Sequence, residues 1–203
     1  AMLDPYLRPC ACTGDAPADE RGLLYLSPDV LTAVSTALDA AGFDLHMHVI
    51  GDRAGRTGLD AVAAARAANP GGPGRHHMAH LQIIHPRDIG RFAELDVTVN
   101  AQALWACNDD QMTELTLPLL GDERSGWQYP FAGLEAAGAR LAMGSDWPVS
   151  SPDPWQAIHV AVNRAHPDYP GAPPLVPGQA LALGSALAAY TSGSAWLNRA
   201  RGG

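Results

Sequence analysis

Residues 43–52 read Phe43-Asp44-Leu45-His46-Met47-His48-Val49-Ile50-Gly51-Asp52. The run is short and bounded by glycines, as a strand should be, and Gly51-Asp52 breaks it. Upstream, Ser27-Pro28-Asp29 has the form of an N-cap followed by proline in the first turn. Val30, Leu31, Val34, Leu38 and Ala41 then recur at helical spacing as far as Gly42. Downstream, residues 54–68 are alanine-rich with Leu59 and Val62 inside, and stop at Asn69-Pro70-Gly71-Gly72-Pro73-Gly74. The order is helix, strand, helix.

The unit repeats along the chain. His77-Met78-Ala79-His80-Leu81-Gln82-Ile83-Ile84 is a second expected strand, followed by a short helix opened by Pro86 with Ile89, Phe92 and Leu95 on one face. Val97–Gln102 is a third, and Arg140–Asp146 a fourth, with expected helices at 109–119 and 131–137 between them. Asp153-Pro154 caps a helix carrying Ile158, Ala161 and Val162, and a last helix is expected over 179–190. Strands alternating with helices every roughly 30 residues mean βα units and a parallel sheet, so the class is α/β. Four strands are half of an eight-stranded barrel, a fold that typically takes about 250 residues.

Composition narrows the function. The chain of 203 residues is 47% hydrophobic and 17% charged, which fits one packed domain and not a disordered chain. It contains 13 arginines, no lysine and 21 acidic residues, a formal charge of −8. Such a chain is a poor binder of nucleic acid or of an anionic membrane, and no apolar run is long enough to span a bilayer. The cysteines, Cys10, Cys12 and Cys107, form no CxxC pair, and no secretory leader is visible, so the expected setting is reducing and cytoplasmic. Position 1 is not Met and the first 20 residues read as loop, so the chain is expected to begin inside a longer protein.

In parallel α/β folds function collects where strands end. His48 lies near the end of the first expected strand, His80 within the second, and Asp146 at the end of the fourth. Two imidazoles and a carboxylate on one rim can bind a divalent metal and leave positions open for water. Each residue also has a plainer reading. His46 and His48 share a face, so one can be a ligand and the other a packed side chain. His80 sits near His76 and His77, a cluster equally readable as solvated surface, and Asp146 before Trp147-Pro148 can cap a turn. Trp105, Trp127, Trp147 and Trp155 fall in or near expected loops, as packing residues or as walls of a substrate pocket. There is no GxGxxG, no phosphate loop and no GxSxG elbow, since Met143 and Trp147 flank Ser145 where that elbow needs glycine.

Five segments resemble, in order, those of the amidohydrolase family 3 branch, the N-substituted formamide deformylase-like hydrolases. His46–Ala54 is similar to HxHAIGDRA, Arg75–Gln82 to RxxIEHAQ and Asn100–Trp105 to SxQPxW. Tyr129-Pro130-Phe131 is similar to YPF and Gly144–Val149 to GSDWPV. The resemblance implies strands five to eight, the C-terminal half, of a metal-dependent (β/α)8 TIM barrel. It makes His48 the strand-five ligand, His80 the strand-six ligand and Asp146 both a ligand and the catalytic carboxylate. His46, Asp52, Gln102, Trp105 and Trp147 become residues that bind substrate or support the ligands. The implied cofactor is a divalent metal, zinc foremost, and the implied reaction is hydrolysis of a non-peptide, amide-like carbon–nitrogen bond in a small molecule.

Departures accompany the matches. The family's glutamate before the strand-six histidine is Ala79, and the proline after Gln102 is Ala103. Its strand-one HxH and strand-four lysine have no counterpart. A variant reading takes His46-Met47-His48 as that HxH, against the Gly-Asp-Arg-Ala that follows. The organisation expected is one partial barrel: an entry segment at 1–26, βα units over 27–190 and a tail at 191–203. Such a half leaves the edges of strands five and eight unpaired and their inner faces exposed. The expected cover is a separately encoded N-terminal half or a second copy of the chain. With no cover, the alternative is a catalytically inactive barrel fragment or interaction module. Substrate identity, the number of metals and oligomeric state stay open.

Overall fold

The computed structural model describes residues 1–8, 19–169 and 171–200; Cys10, Cys12 and Arg201 lie outside them. Helix α1, Pro28–Ala40, starts where Ser27 Oγ accepts the Val30 N–H at 3.4 Å, with Pro28 in the first turn. Its apolar stripe points away from the core, and Val30, Val34 and Leu38 are exposed. The side buried against helix α2, Asp52–Ala68, carries Ser35 and Asp39 instead. Polar groups win there because Asp39 is satisfied. Its Oδ1 lies 2.9 Å from His76 Nε2, and Oδ2 accepts a hydrogen bond from Asn69 Nδ2 at 3.0 Å. His76 Nδ1 in turn accepts the Leu45 N–H at 3.2 Å, tying both helices to the sheet.

Strands β1 (His46–Val49), β2 (His77–His80), β3 (Thr98–Ala101) and β4 (Leu141–Met143) form one parallel sheet in sequence order. Between β2 and β3 come a tight turn at Pro86–Asp88 and helix α3, Ile89–Glu94; between β3 and β4 come α4, Leu117–Ser125, and α5, Phe131–Ala136. After β4 follow α6 (Pro154–Asn163), α7 (Leu183–Ala188) and α8 (Ser194–Leu197). This is an α/β fold, a four-stranded parallel sheet flanked by helices, consistent with half of a (β/α)8 barrel.

Several boundaries differ from the expectation. The second strand stops at His80 rather than at Ile84, because His80 and Leu81 take left-handed backbone angles, φ 70° and 56°. The helix expected at 109–119 begins as a wide π-type turn, Gln111–Thr116, and continues into α4, which bends at Gly121 (φ 76°). The last helix starts later than residue 179 and, through a second wide turn at Ala189–Gly193, reaches Leu197. The stretch read as a tail from residue 191 is therefore helical to Leu197.

The two sheet faces are unlike. Met47, Val49, Met78, Val99, Ala101 and Met143 lie on the helix side; Met47 and Met78 close on Gly58 and Val49 on Gly55, both in α2. Burying such a face supplies most of the driving force, at about 25 cal/mol per Å² of apolar surface. The other face carries His46, His48, His77, Ala79, Thr98 and Asn100, as the register requires. The inner face is thus polar, which removes part of the expected apolar liability. The β4 edge is covered as well: Ser194 Oγ accepts the Met143 N–H at 3.3 Å and donates to the Met143 carbonyl at 2.7 Å. The β1 edge has no strand partner among the described residues. Beside it lies an open hollow of about 500 Å³ lined by Leu23–Leu26, Leu31, His46, His48 and Gly58.

Candidate functional site

The strand ends carry the site. His48 projects from the polar face of β1, opposite Ala79 in the register. Regular alternation would send His80 to the helix side with Met78. The left-handed φ at His80 rotates its side chain about the N–Cα bond to the polar face instead. There its ring meets that of His48, with centroids 4.4 Å apart in an edge-to-face contact. A non-glycine residue in this region costs roughly 1–2 kcal/mol, so something must hold it. Gln102 does so, its Oε1 accepting the His80 N–H at 2.6 Å, while its Nε2 donates to Asn100 Oδ1 at 3.1 Å.

Asp146 follows β4, also with left-handed backbone (φ 60°), and lines the same cavity as His48 and His80. That cavity holds about 310 Å³, with Ile50, Trp105, Met112, Tyr129 and Val149 as its apolar wall and Gln82, Asp109, Gln111 and Thr116 as further polar lining. Burial, reinforced by the neighbouring His48 and opposed by Asp146, lowers the pKa of His80, which favours the neutral imidazole that a metal needs. Burial likewise raises Tyr129 well above the usual phenol range. Behind the Tyr129 ring, Arg164 is fully buried and donates to the carbonyls of Leu175, Tyr129 and Gln128. Desolvation brings its pKa down to about 10.

The remaining residues singled out in the sequence are scattered. His46 packs its ring on His77, with centroids 4.7 Å apart, and lines the hollow beside β1 rather than the cavity. Asp52 is buried at the start of α2, where its Oδ1 accepts the N–H groups of Leu3 and Arg53, both at 2.8 Å, and so it anchors the N-terminal segment. Gln102 supports His80 from beneath. Trp105 lines the cavity, its buried Nε1 without a hydrogen-bond partner among the described residues, whereas Trp147 is 68% exposed and stays outside the cavity lining. Asp109, Met112, Gln82 and Tyr129 were missed as site residues. Asp109 is the middle residue of Asn108-Asp109-Asp110, a run before a helix that signals only a cap, and it does cap: its Oδ1 accepts the Met112 N–H at 2.7 Å.

The donor chemistry suits a divalent metal, with two touching imidazoles and a carboxylate on one cavity wall. Yet among the described residues no group of three or more His, Cys, Asp or Glu side chains is drawn close enough to cage an ion. His48 and His80 are in ring contact, and Asp146 lines the same cavity without closing on them as a third member of such a group.

The whole chain, residues 1–203, matches the amidohydrolase family. It belongs to that family. This amidohydrolase chain is 31% identical over 175 residues to Protein LONG AFTER FAR-RED 3 of Arabidopsis thaliana, an alignment covering 86% of the chain and 29% of that protein. Over 71 residues it is 40% identical to the Exoenzymes regulatory protein AepA of Pectobacterium carotovorum subsp. carotovorum, covering 35% and 15% of the two. Crystal structures of uncharacterized metal-dependent hydrolases from Pyrococcus furiosus and Pyrococcus horikoshii superpose on it with TM-scores of 0.75 and 0.77 at 25% and 26% identity. Each covers 98% of the chain, which spans 36% and 37% of theirs.

Proposed function

We propose that the chain carries the C-terminal, strand-five-to-eight part of a metal-dependent hydrolase site acting on non-peptide carbon–nitrogen bonds of small molecules. The observation that carries the reading is the left-handed turn at His80, held by Gln102, which brings a second imidazole against His48 in the cavity that Asp146 lines. Spending backbone strain to join two ligand-type side chains is what a functional site does. Family membership and the metal-dependent hydrolases of similar fold point the same way.

His48 and His80 would hold the metal, with Asp146 beside them, and zinc suits such nitrogen and oxygen donors. When bound, a divalent metal supplies Lewis-acid polarisation of a carbonyl and acidifies water toward neutral pH. Asp146 takes a proton from the attacking water on a carboxylate oxygen and gives it to the departing nitrogen. The wall of Trp105, Met112, Tyr129 and Val149 seats the substrate and keeps bulk water from it. Because the trio does not close on one point, further ligands from a covering N-terminal half or a second copy belong to this reading.

The test is calorimetric zinc titration of the chain together with chelator-sensitive hydrolysis of formamides and simple amides. His80→Ala is expected to lower zinc affinity at least tenfold, about the scale seen when a ligand's supporting partner alone is lost. Unchanged affinity in His80→Ala, or no binding at all, refutes the reading. A second reading, a non-catalytic module, is favoured by the open trio and by the regulatory name of one relative. Chelator-sensitive turnover eliminates it.

A further inference from the structure

A second pair of imidazoles lies one layer beneath the first. His46 on β1 and His77 on β2 are direct partners in the parallel register, so both side chains stand on the polar sheet face, and their rings meet with centroids 4.7 Å apart. Neither lines the cavity of His48, His80 and Asp146. His77 Nδ1 lies 3.1 Å from the Arg75 carbonyl, which only accepts, so Nδ1 carries the proton and the Nε2 lone pair is left free. Ligating histidines make this kind of contact, which fixes the tautomer and orients the ring. Among the described residues neither nitrogen of His46 is hydrogen-bonded, and its exposed ring borders the hollow at the β1 edge. No carboxylate among the described residues joins the two as a third member. The other histidines are placed differently: His85 and His166 stack on Trp127 and Tyr169, and His76 is paired with Asp39.

We propose that His46 and His77 chelate a divalent transition-metal ion of the nickel or copper class, at a site separate from any ion held by His48 and His80. Two imidazoles on one ion, with metal–nitrogen bonds of about 2.0–2.1 Å, set their ring centres about 4.5–5.2 Å apart for angles from about 90° to tetrahedral. The observed 4.7 Å falls in that range. His46 and His48 are two residues apart along β1, which is about 6.6 Å at the rise of a parallel strand. Paired ions in one site sit only about 3.5–4 Å apart, so the two imidazole pairs serve separate ions. Ligand type sets the choice of metal. Imidazole nitrogens without a carboxylate disfavour magnesium and calcium, and affinity for such donors rises through nickel to copper. Water completes the coordination on the open side of the sheet. An ion here also ties β1, whose outer edge has no strand partner among the described residues, to β2. The inference stands whether or not His48 and His80 hold zinc.

The probe is Ni²⁺, titrated by calorimetry into the full chain carrying His48→Gln and His80→Gln together, so that only the lower pair remains. One Ni²⁺ per chain is expected, with the ring signals of His46 and His77 broadening in NMR before those of His85, His159 and His166, and no binding of Mg²⁺ is expected. Adding His77→Gln is expected to lower Ni²⁺ affinity by about tenfold or more, at least the cost of losing a ligand's supporting partner. In the otherwise native chain, His77→Gln is expected to remove the same nickel ion while leaving zinc affinity within about twofold. A folded double variant that binds no Ni²⁺, or that binds it while the His46 and His77 signals stay sharp, overturns the proposal. So does Ni²⁺ affinity that His77→Gln leaves unchanged. If the double variant does not fold, His46→Gln and His77→Gln in the native chain decide: each is expected to lose one nickel ion, and unchanged nickel stoichiometry in both overturns the site. No turnover enters these measurements. A chain that binds Ni²⁺ at His46 and His77 but neither binds zinc nor hydrolyses amides refutes only the hydrolase reading, and an active chain without this nickel site refutes only the present inference.

Discussion

Replacing Gln102 by leucine should disconnect His80 from His48 while leaving the sheet intact. In the wild-type chain the His80 N–H is held at 2.6 Å by Gln102 Oε1, and that bond sustains a φ of 70°. The left-handed conformation costs roughly 1–2 kcal/mol for a residue with a Cβ. Leaving the N–H without an acceptor adds about 1–3 kcal/mol. The sum, about 2–5 kcal/mol, exceeds the roughly 1.4 kcal/mol that inverts a population tenfold, so His80 should return to extended backbone and turn its ring away. Two assays follow. Proton contacts between the His48 and His80 rings, measured by NMR without metal, should vanish. Zinc affinity should fall by about 10–100-fold, the usual cost of losing a group that orients a ligand. Gln102→Glu keeps an acceptor in place and should preserve both. The reasoning is refuted if folded Gln102→Leu retains the ring contacts and binds zinc within about twofold of wild type.

Two further outcomes can be checked directly. Burial lowers the pKa of His76 despite Asp39 beside it, so the unfolded chain binds a proton there before the folded one does. Stability from this group is present above the unfolded value of about 6.5 and is lost as pH falls below it, by at most ~1.4 kcal/mol per pH unit. Chemical unfolding from pH 7.5 to 5.5 should show that slope, reduced in His76→Gln; an identical slope in the variant would contradict it. Asp44, held near 2 chiefly by its hydrogen bond to Arg199, loses its contribution only at lower pH, between 3.8 and 2, outside that window. At the other edge of the sheet, Ser194→Ala removes both bonds to Met143 and should cost about 1–2 kcal/mol in urea unfolding; a change below about 0.3 kcal/mol would show that water replaces the hydroxyl.

The strand and helix order, the parallel α/β class and the position of His48 near a strand end were legible in the residues alone, whereas the fourth strand, expected to run to Asp146, stops at Met143. Local rules act there: proline and serine start helices, glycine stops them, and short apolar runs between glycines extend. Alternation also told which residues of β1 share a face. It failed at His80, because period two puts His80 with Met78, and the left-handed turn whose N–H donates to Gln102, just past the neighbouring strand, reverses it. The outward stripe of α1 was hidden for the same kind of reason, since burying Asp39 pays only if His76 and Asn69, far along the chain, come to meet it. In the sequence Asp109 only opens an expected helix and Tyr129 only belongs to the YPF-like segment; that both line one cavity is decided by how distant segments pack. Sequence fixes what each segment does by itself, whereas the site depends on side chains from several segments arriving together, which only the packed chain determines.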